Sequence, residues 1–331
     1  MKPNLFKWAT SELTQDAFIC WLIEWAKPES KEEQLSQIAL KLVEEISDIK
    51  ASEIEKLEVK RQYKNIDILV VINDKKAILI EDKVHTKNHG NQLVRYAELL
   101  EEEFERDNIS LVYFKTGDQS NYRKVKERGY RTYKRNDFLR LLKSGKEKGI
   151  ENDIFLDFLV YLENIDASVN SYQNLPLKNW HWDSWKGFYI ELQKRLGQGD
   201  WDYVPQKNGG FLGFWWNWNY LNFEETGFDY YLQLEHNKFC FKISPYDVNR
   251  NYEIRNFYRN ILFPKASQAG IKIRRNGRCL KGKTKTMTVA KLDYPYIKTD
   301  KNGLIDMEAT IKEISRIEQV LKEIKTAHNN G

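Results

Sequence analysis

The chain has 331 residues, which is long enough for two folded domains. A hydrophobic fraction of 41% and an evenly mixed charged fraction of 31% exclude a disordered protein. Three widely separated cysteines, Cys20, Cys240 and Cys279, offer neither a disulfide framework nor the spacing of a zinc site. No apolar run is long enough to span a membrane. We therefore expect a soluble protein of the reducing cytoplasm with no membrane partner.

The net charge of +5 is unevenly distributed along the chain. Residues 1–171 contain 28 Lys and Arg against 31 Asp and Glu, a net charge of −3. Residues 172–331 contain 25 against 17, a net charge of +8. The second half is therefore the better candidate for contacts with phosphate.

The first half of the chain reads as helices and strands in a mixed order. Its apolar periodicities predict a buried first helix capped by Thr10 or Ser11, an edge strand at 56–63 and a buried strand at 110–115. This order predicts an α/β domain over residues 1–170, with a central mixed sheet flanked by helices. The predicted helices cover 11–27, 31–50, 91–106, 137–142 and 154–165, and the strands 56–63, 66–72, 77–83, 110–115 and 130–133.

Two neighbouring apolar runs predict a β-hairpin that is joined by the polar loop 73–75. A three-residue loop allows Leu69 to lie opposite Leu79. Side chains alternate between the two faces of a strand, so this register places Asp67 opposite Glu81 on one face. Charges at the end of a buried strand cost several kcal/mol unless they pair with each other or bind a metal ion.

Lys83 lies on the same face as Glu81, which gives the pattern Asp, then Glu-x-Lys on the next strand. This pattern suits metal-dependent phosphodiester hydrolysis, with Asp67 and Glu81 binding Mg²⁺ (or Mn²⁺ in its place) and Lys83 orienting the attacking water. Asp82 would contribute its backbone carbonyl to the metal, while its side chain points to the other face and forms a local salt bridge. The spacing alone is common, and a purely structural role for these charges is the alternative.

The segment ILIEDKVHTKNHGNQLVRYAELL, residues 78–100, resembles the PD-(D/E)XK nuclease superfamily, which has the restriction-endonuclease-like fold. It is similar to the branch in which a Gln-x-x-x-Tyr helix follows the motif, as in recombination-repair exonucleases. The resemblance implies that Asp67, Glu81 and Lys83 are metal and catalytic residues, and that Gln92 and Tyr96 are active-site, phosphate-side residues. It covers roughly residues 1–165. One departure is that Asn65-Ile66 precede Asp67, where the name-giving motif has Pro.

The segment ELTQDAFICWLIEWA, which begins at Glu12, resembles the N-terminal helix of uncharacterised bacterial members of this superfamily. The resemblance implies that Glu12 lies beside the metal site. The alternative is that Glu12 and Asp16 only interact favourably with the helix dipole. His85 and His89 are interpreted as exposed loop residues, and the carboxylate ligands favour Mg²⁺ or Mn²⁺ over zinc.

A polar segment at 166–178 predicts a domain boundary, followed by an α+β domain over residues 171–331. The dipeptide His236-Asn237 between two of its strands is typical of a short hairpin. Three helices are predicted, one that begins at 182 and two that cover 248–263 and 307–324. The predicted strands cover 211–219, 228–235, 238–244, 271–275 and 284–292.

Two stretches of this second domain could bind nucleic acid. The aromatic run 211–220 could stack on unpaired bases, although aromatic residues at strand spacing more often belong to a core. The segment 271–285 contains seven basic residues and no acid, so it could follow a phosphate backbone or form the solvated rim of a hairpin. These candidate nucleic-acid-binding residues are Lys272, Arg274, Arg275, Arg278, Lys281, Lys283 and Lys285.

The sequence therefore favours a Mg²⁺-dependent nuclease that acts on nucleic acid, with DNA as the expected substrate. A setting in phage defence, mobile-element biology or DNA repair is implied by the resemblance alone, and so is a homodimer. The alternatives are a catalytically inactive nucleic-acid-binding or regulatory module that retains a nuclease fold, and an RNase that uses the same site.

Overall fold

A computed structural model describes residues 3–84, 91–206, 209–276 and 285–329. The chain divides into two compact units, Met1–Ala167 and Ser168–Gly331, where the sequence suggested a boundary after residue 170. In this described part of the chain, no helix combines the length and the apolar character needed to cross a membrane.

The first unit contains a mixed sheet with strand order β1-β2-β3-β4-β5. Strands β1 to β3 pair antiparallel, whereas β3, β4 and β5 pair parallel, which confirms the predicted mixed sheet. The edge position of β1 is also as predicted. The helices are α1 Glu12–Glu24, α2 Glu33–Ser47, α3 Gln92–Glu101, α4 Arg123–Glu127, α5 Arg135–Glu147 and α6 Asp153–Asn170, and the strands are β1 Leu57–Tyr63, β2 Ile66–Ile72, β3 Lys76–Lys83, β4 Ile109–Lys115 and β5 Arg131–Lys134.

Helices cover both faces of this sheet, because β2 and β3 carry apolar side chains on both sides. Ile68 and Ile80 belong to the core that contains α1, α2, α5 and α6. Leu69 and Leu79 belong to a second core, with α3. All four side chains are at most 1% exposed, and burying such a side chain contributes about 1.5–3 kcal/mol. The strand ends are therefore held in a rigid layer.

The hairpin of β2 and β3 has the predicted register, with Leu69 opposite Leu79. Its three-residue loop is possible because Asn73 and Asp74 adopt left-handed backbone conformations, with φ of 53° and 55°. The Asn73 side-chain oxygen also accepts the backbone N–H of Lys56 at 2.9 Å, which ties the loop to the chain before β1. This register fixes which side chains of the two strands share a face.

The second unit contains an antiparallel sheet with strand order β10-β11-β9-β8-β7-β6, and helices α7, α8 and α9. The two-residue loop at His236 joins β8 to β9, as predicted. Strand β6, with the sequence DWDYV, was not predicted. The helices are α7 Trp182–Leu196, α8 Asn251–Gln268 and α9 Met307–Asn329, and the strands are β6 Asp200–Val204, β7 Phe211–Phe223, β8 Thr226–Glu235, β9 Lys238–Pro245, β10 Ile273–Arg275 and β11 Met287–Leu292.

Candidate active site

Three charged side chains meet where β2 begins and β3 ends. The Lys83 ammonium lies 2.7 Å from Glu81 Oε1 and 3.3 Å from Asp67 Oδ2. It also donates a hydrogen bond to the backbone carbonyl of Asp82 at 2.9 Å. The structure thus places Asp67, Glu81 and Lys83 together on the face that strand parity predicted.

Asp67 is held in place by the backbone of the neighbouring strand. Its Oδ2 accepts the backbone N–H of Asp82 at 3.0 Å. The regular pairing of β2 with β3 ends at Ile68 and Ile80, so the Asp67 carboxylate continues the hydrogen bonding where the ladder stops. This bond fixes the direction in which the second carboxylate oxygen points.

Glu81 is completely buried, which makes its charge expensive. In the described part of the chain, neither of its carboxylate oxygens accepts a hydrogen bond of acceptable geometry, although Lys83 is close. Burial, and then the nearby charge of Asp67, raises the pKa of Glu81 to about 7. Burial alone would lower the pKa of Lys83, but the Glu81 and Asp67 carboxylates hold it above its usual value.

These residues fit a divalent cation. Two carboxylates and the Asp82 carbonyl already surround one cationic group, the Lys83 ammonium, at 2.7–3.3 Å. Hard oxygen donors of this kind suit Mg²⁺, which commonly takes one or two carboxylates and fills its other positions with water and substrate phosphate. Among the described residues, no group of three or more His, Cys, Asp and Glu side chains could hold a metal.

The Asp82 side chain points to the opposite face of β3, as predicted, but its expected local salt bridge was wrong. Its Oδ1 instead accepts a hydrogen bond from Gln15 Nε2 at 2.5 Å. The Asp16 carboxyl is its neighbour, and neither Asp16 Oδ1 nor Asp82 Oδ2 has a hydrogen-bond partner among the described residues. Burial raises the pKa of Asp82 well above its usual value, and burial together with Asp67 raises that of Asp16 to about 6. The Asp82 carboxyl therefore anchors α1 to β3.

Side chains from helix α1 and strand β4 form hydrogen bonds with the backbone of Val84, the residue that follows Lys83. Glu12 Oε1 accepts the backbone N–H of Val84 at 2.9 Å, and Lys115 Nζ donates to the Val84 carbonyl at 2.9 Å. Glu12 thus lies at the end of β3, beside the charged cluster. Lys115 is 1% exposed, and its burial lowers its pKa to about 8. The backbone that carries Lys83 is therefore held from both sides.

Gly117 is required by this arrangement, because a Cβ atom there would lie 1.8 Å from the Val84 carbonyl oxygen. We expect Gly117→Ala to destabilise the protein by about 1–3 kcal/mol and to lower any cleavage activity, since the end of β3 must move. Thermal melting of the variant checks this, with the exposed Lys124→Ala as control. An unchanged melting temperature would show that the Val84 peptide is not constrained.

Gln92 and Tyr96 lie one turn apart at the start of α3. The Gln92 side-chain amide donates to the Tyr96 hydroxyl at 3.3 Å. In the described part of the chain, Gln92 bonds to Tyr96 and not to the Asp67, Glu81 or Lys83 side chains. Tyr96 packs in the α3 core, on the same sheet face as Asp67 and Glu81. Their role on the phosphate side stays a prediction.

Gln15 and Lys115 were missed from the sequence. Gln15 lies on α1, and its Oε1 accepts a hydrogen bond from the Thr116 hydroxyl at 2.6 Å. Lys115 could have been found, because it ends a buried strand with a charge, as Lys83 does. The Gln15 contact has no such signal. His85 and His89 lie outside the described residues.

Of the seven predicted basic residues of segment 271–285, four lie in the described part of the chain. Lys272, Arg274, Arg275 and Lys285 are exposed. Arg275 lies over the ring of Phe263 in α8, at 5.8 Å, whereas Arg274 is its neighbour on β10 and points to the other side of the sheet. Three further predicted members of the segment lie outside the described residues, namely Arg278, Lys281 and Lys283.

The mixed sheet and its charged strand ends define a nuclease-like α/β domain. A family model described as the PD-(D/E)XK nuclease superfamily matches residues 3–178, more than half of the chain. The chain therefore belongs to the PD-(D/E)XK nuclease superfamily, which confirms the resemblance and the predicted restriction-endonuclease-like fold. Membership indicates a nuclease with a nucleic-acid substrate, and such nucleases generally use divalent metals. No curated protein and no solved structure matched the chain.

Proposed function

We propose that the protein is a Mg²⁺-dependent nuclease that cleaves DNA, with Asp67, Glu81 and the Asp82 carbonyl as metal-binding groups. The observation that carries this proposal is the convergence of both carboxylates and the carbonyl on one cationic group, at 2.7–3.3 Å. A buried carboxylate such as Glu81, which accepts no hydrogen bond of acceptable geometry among the described residues, is well suited to binding a cation. Family membership supplies the substrate class.

In this proposal each residue of the site has a separate role. Asp67 and Glu81 present oxygen atoms in fixed directions, because one is bonded to the β3 backbone and the other is buried. Lys83 stays protonated and stabilises the negative charge that develops on the phosphate, while it orients the attacking water. A bound Mg²⁺ would polarise the scissile phosphate and acidify water. Glu12 and Lys115 position the end of β3.

Asp67→Asn should abolish cleavage, because the amide cannot supply the negative charge that a divalent cation requires. The test compares the wild-type and variant proteins on duplex DNA, single-stranded DNA and RNA, with Mg²⁺, with Mn²⁺ and with a chelator. We expect wild-type cleavage of DNA only with metal, and a loss of about 100-fold or more in the variant.

The exposed Asp74→Asn, in the hairpin loop, is the matched control and should cleave normally. Activity of Asp67→Asn equal to that of the wild type would contradict the site. Cleavage of RNA but not of DNA would replace the proposed substrate and keep the site. No cleavage of any substrate, together with nucleic-acid binding, would favour the inactive module instead.

A further inference from the structure

The sheet of the second unit has one face that its helices cover and one that they do not. Helices α7, α8 and α9 pack together with Trp216, Leu232 and Phe241 in one core. Because side chains alternate along a strand, Tyr231 and Lys242, the neighbours of these core residues, point to the opposite side. We call this opposite side the outer face. This face is open to solvent at Trp218, which is 49% exposed, whereas Tyr231 and Lys242 are buried, at 3% and 9% exposure.

A β-bulge brings Trp218 to the outer face. Trp216 pairs with Leu232 and Asn219 pairs with Tyr230, so two residues of β7, Asn217 and Trp218, lie opposite the single residue Tyr231. Without this extra residue, Trp218 would share the buried face with Trp216. Asn217 allows the bulge through a left-handed conformation with φ of 56°. The chain thus exposes a tryptophan that regular pairing would bury.

The Trp218 ring stacks on a buried neighbour and leaves area for a second stacking partner. It stacks on Tyr231 with ring centroids 3.8 Å apart and an interplanar angle of 15°. Tyr231 is 3% exposed and therefore fixed, whereas about half of Trp218 remains accessible. One face of the indole is occupied by Tyr231, and about half of the residue is left for a second stacking partner.

A second pair of exposed rings lies on the same face. Tyr220 and Tyr246 are 47% and 62% exposed, with ring centroids 5.8 Å apart. The Tyr220 ring lies against Gly227, where a Cβ atom would come within 2.3 Å of the Tyr220 hydroxyl oxygen. The Tyr246 hydroxyl donates to Asp229 at 3.1 Å. We call Trp218, Tyr220, Tyr231 and Tyr246 the aromatic platform.

Basic side chains border the aromatic platform on the neighbouring strands. Lys242 lies directly opposite Tyr231, and Lys291 lies opposite Arg274 towards the edge of the sheet. Three acids lie among them, with Glu235 at 3.9 Å from Lys242, Asp293 at 3.4 Å from Arg274, and Asp229 bonded to Tyr246. Lys238, which is exposed and lies opposite Glu235 on this face, is a fourth base, and residues 172–331 as a whole carry a net charge of +8. A polyanion complements such a surface.

We propose that the outer face binds single-stranded nucleic acid, with bases stacking on Trp218 and Tyr220 and phosphates contacting Arg274 and Lys291. Bases in a duplex are already stacked and cannot reach an indole that is fixed on a sheet, whereas unpaired bases can. Stacking on flat aromatic rings beside cations is independent of sequence, because every base has a π-face. The choice of nucleic acid as the occupant rests on the proposed nuclease function.

The test is fluorescence anisotropy of a fluorescein-labelled oligothymidylate titrated with the full chain in EDTA, where no metal-dependent cleavage occurs. We expect Trp218→Ala to raise Kd by about 10- to 100-fold and Trp218→Phe to recover part of the affinity. Tyr252→Ala should bind like the wild type, because Tyr252 is even more exposed than Trp218, at 57%, but lies on α8 at the other side of the sheet. Lys291→Gln should lower the slope of log K against log salt concentration by about 0.7.

Three outcomes would overturn the proposal: wild-type affinity of Trp218→Ala, equally tight binding of a duplex, or a dimer that Trp218→Ala converts to a monomer. Far-ultraviolet circular dichroism and melting confirm that the variants are folded. Different results reject the binding role of the outer face and the nuclease assignment. Trp218-dependent binding without any cleavage would reject the nuclease alone, and metal-dependent cleavage without binding to the platform would reject the outer face alone.

Discussion

Lys83→Ala should lower the rate of metal-dependent cleavage by about 100-fold or more, while it increases the affinity of the metal-free protein for Mg²⁺. The rate falls because the variant lacks the ammonium that orients water and stabilises developing negative charge. The affinity rises because the Lys83 ammonium lies within 3.3 Å of the same three oxygens that are proposed to bind the ion. Opposite effects on rate and metal affinity are not expected from mere unfolding.

The same substitution should destabilise the protein in the absence of metal. The Lys83 ammonium is the positive charge next to the Asp67 and Glu81 carboxylates, and Glu81 has no exposed surface at which water could solvate its charge in the variant. Removing one partner of a buried ion pair commonly costs about 3–5 kcal/mol. Mg²⁺ should restore much of this loss, because it supplies the missing positive charge.

Isothermal titration calorimetry without nucleic acid measures the Mg²⁺ affinity, and a cleavage assay at saturating metal measures the rate. Lys76→Ala is the matched control, since Lys76 begins the same strand and forms an ion pair with Glu53 at the surface. Such exposed pairs contribute about 0–1 kcal/mol, so this variant should keep its activity and metal affinity. A Lys83→Ala protein that lost metal affinity together with activity would contradict the assigned role of Lys83.

The register of the β2–β3 hairpin could be predicted from the sequence because it depends on local features. Side-chain parity and the odd loop length together allow one pairing that buries Leu69 against Leu79. The placement of Asp67 and Glu81 on one face follows directly. Sequence reasoning succeeds here because the residues concerned are separated by a short turn with recognisable chemistry.

The contacts of Asp82 could not be predicted in the same way. Gln15 and Asp16 come from a helix far away in the sequence, and the rotation of α1 about its axis depends on how the whole core packs. The bulge at Asn217 is a similar case, because one extra residue reverses the parity of everything after it. The expectation that the aromatic run 211–220 is core therefore holds for Trp216 and is wrong for Trp218.

Glu81→Gln should make the metal-free protein more stable at neutral and alkaline pH, although it removes a proposed metal ligand. The pKa of Glu81 is raised in the fold from its ordinary value of 4.5 to about 7, by burial and by Asp67. Between these two pH values the folded state binds more protons than the unfolded state, so stability falls as the pH rises. Above pH 7 the ionised Glu81 lowers the unfolding free energy by its full amount, about 3 kcal/mol. Below pH 4.5 this destabilisation vanishes, because the carboxyl is protonated in both states.

Urea denaturation in EDTA at pH 5 and pH 8 measures this difference. We expect Glu81→Gln to exceed the wild type in unfolding free energy at pH 8, by more than at pH 5. Glu53→Gln is the control, and it should lower the unfolding free energy at pH 8. The Lys76 partner lowers the pKa of the exposed Glu53, so the charge of Glu53 is favourable in the folded state. A Glu81→Gln protein less stable than the wild type at pH 8 would contradict the destabilising charge.

Added Mg²⁺ should reverse the order of the two proteins. A metal ion binds the ionised form of Glu81, so it stabilises the wild-type protein more at pH 8 than at pH 6, where the carboxyl must first lose its proton. The Glu81→Gln variant has no carboxylate to offer and should gain little at either pH. The carboxylate that weakens the metal-free fold is then the group through which the metal stabilises it, as expected of a ligand kept for function at a cost in stability.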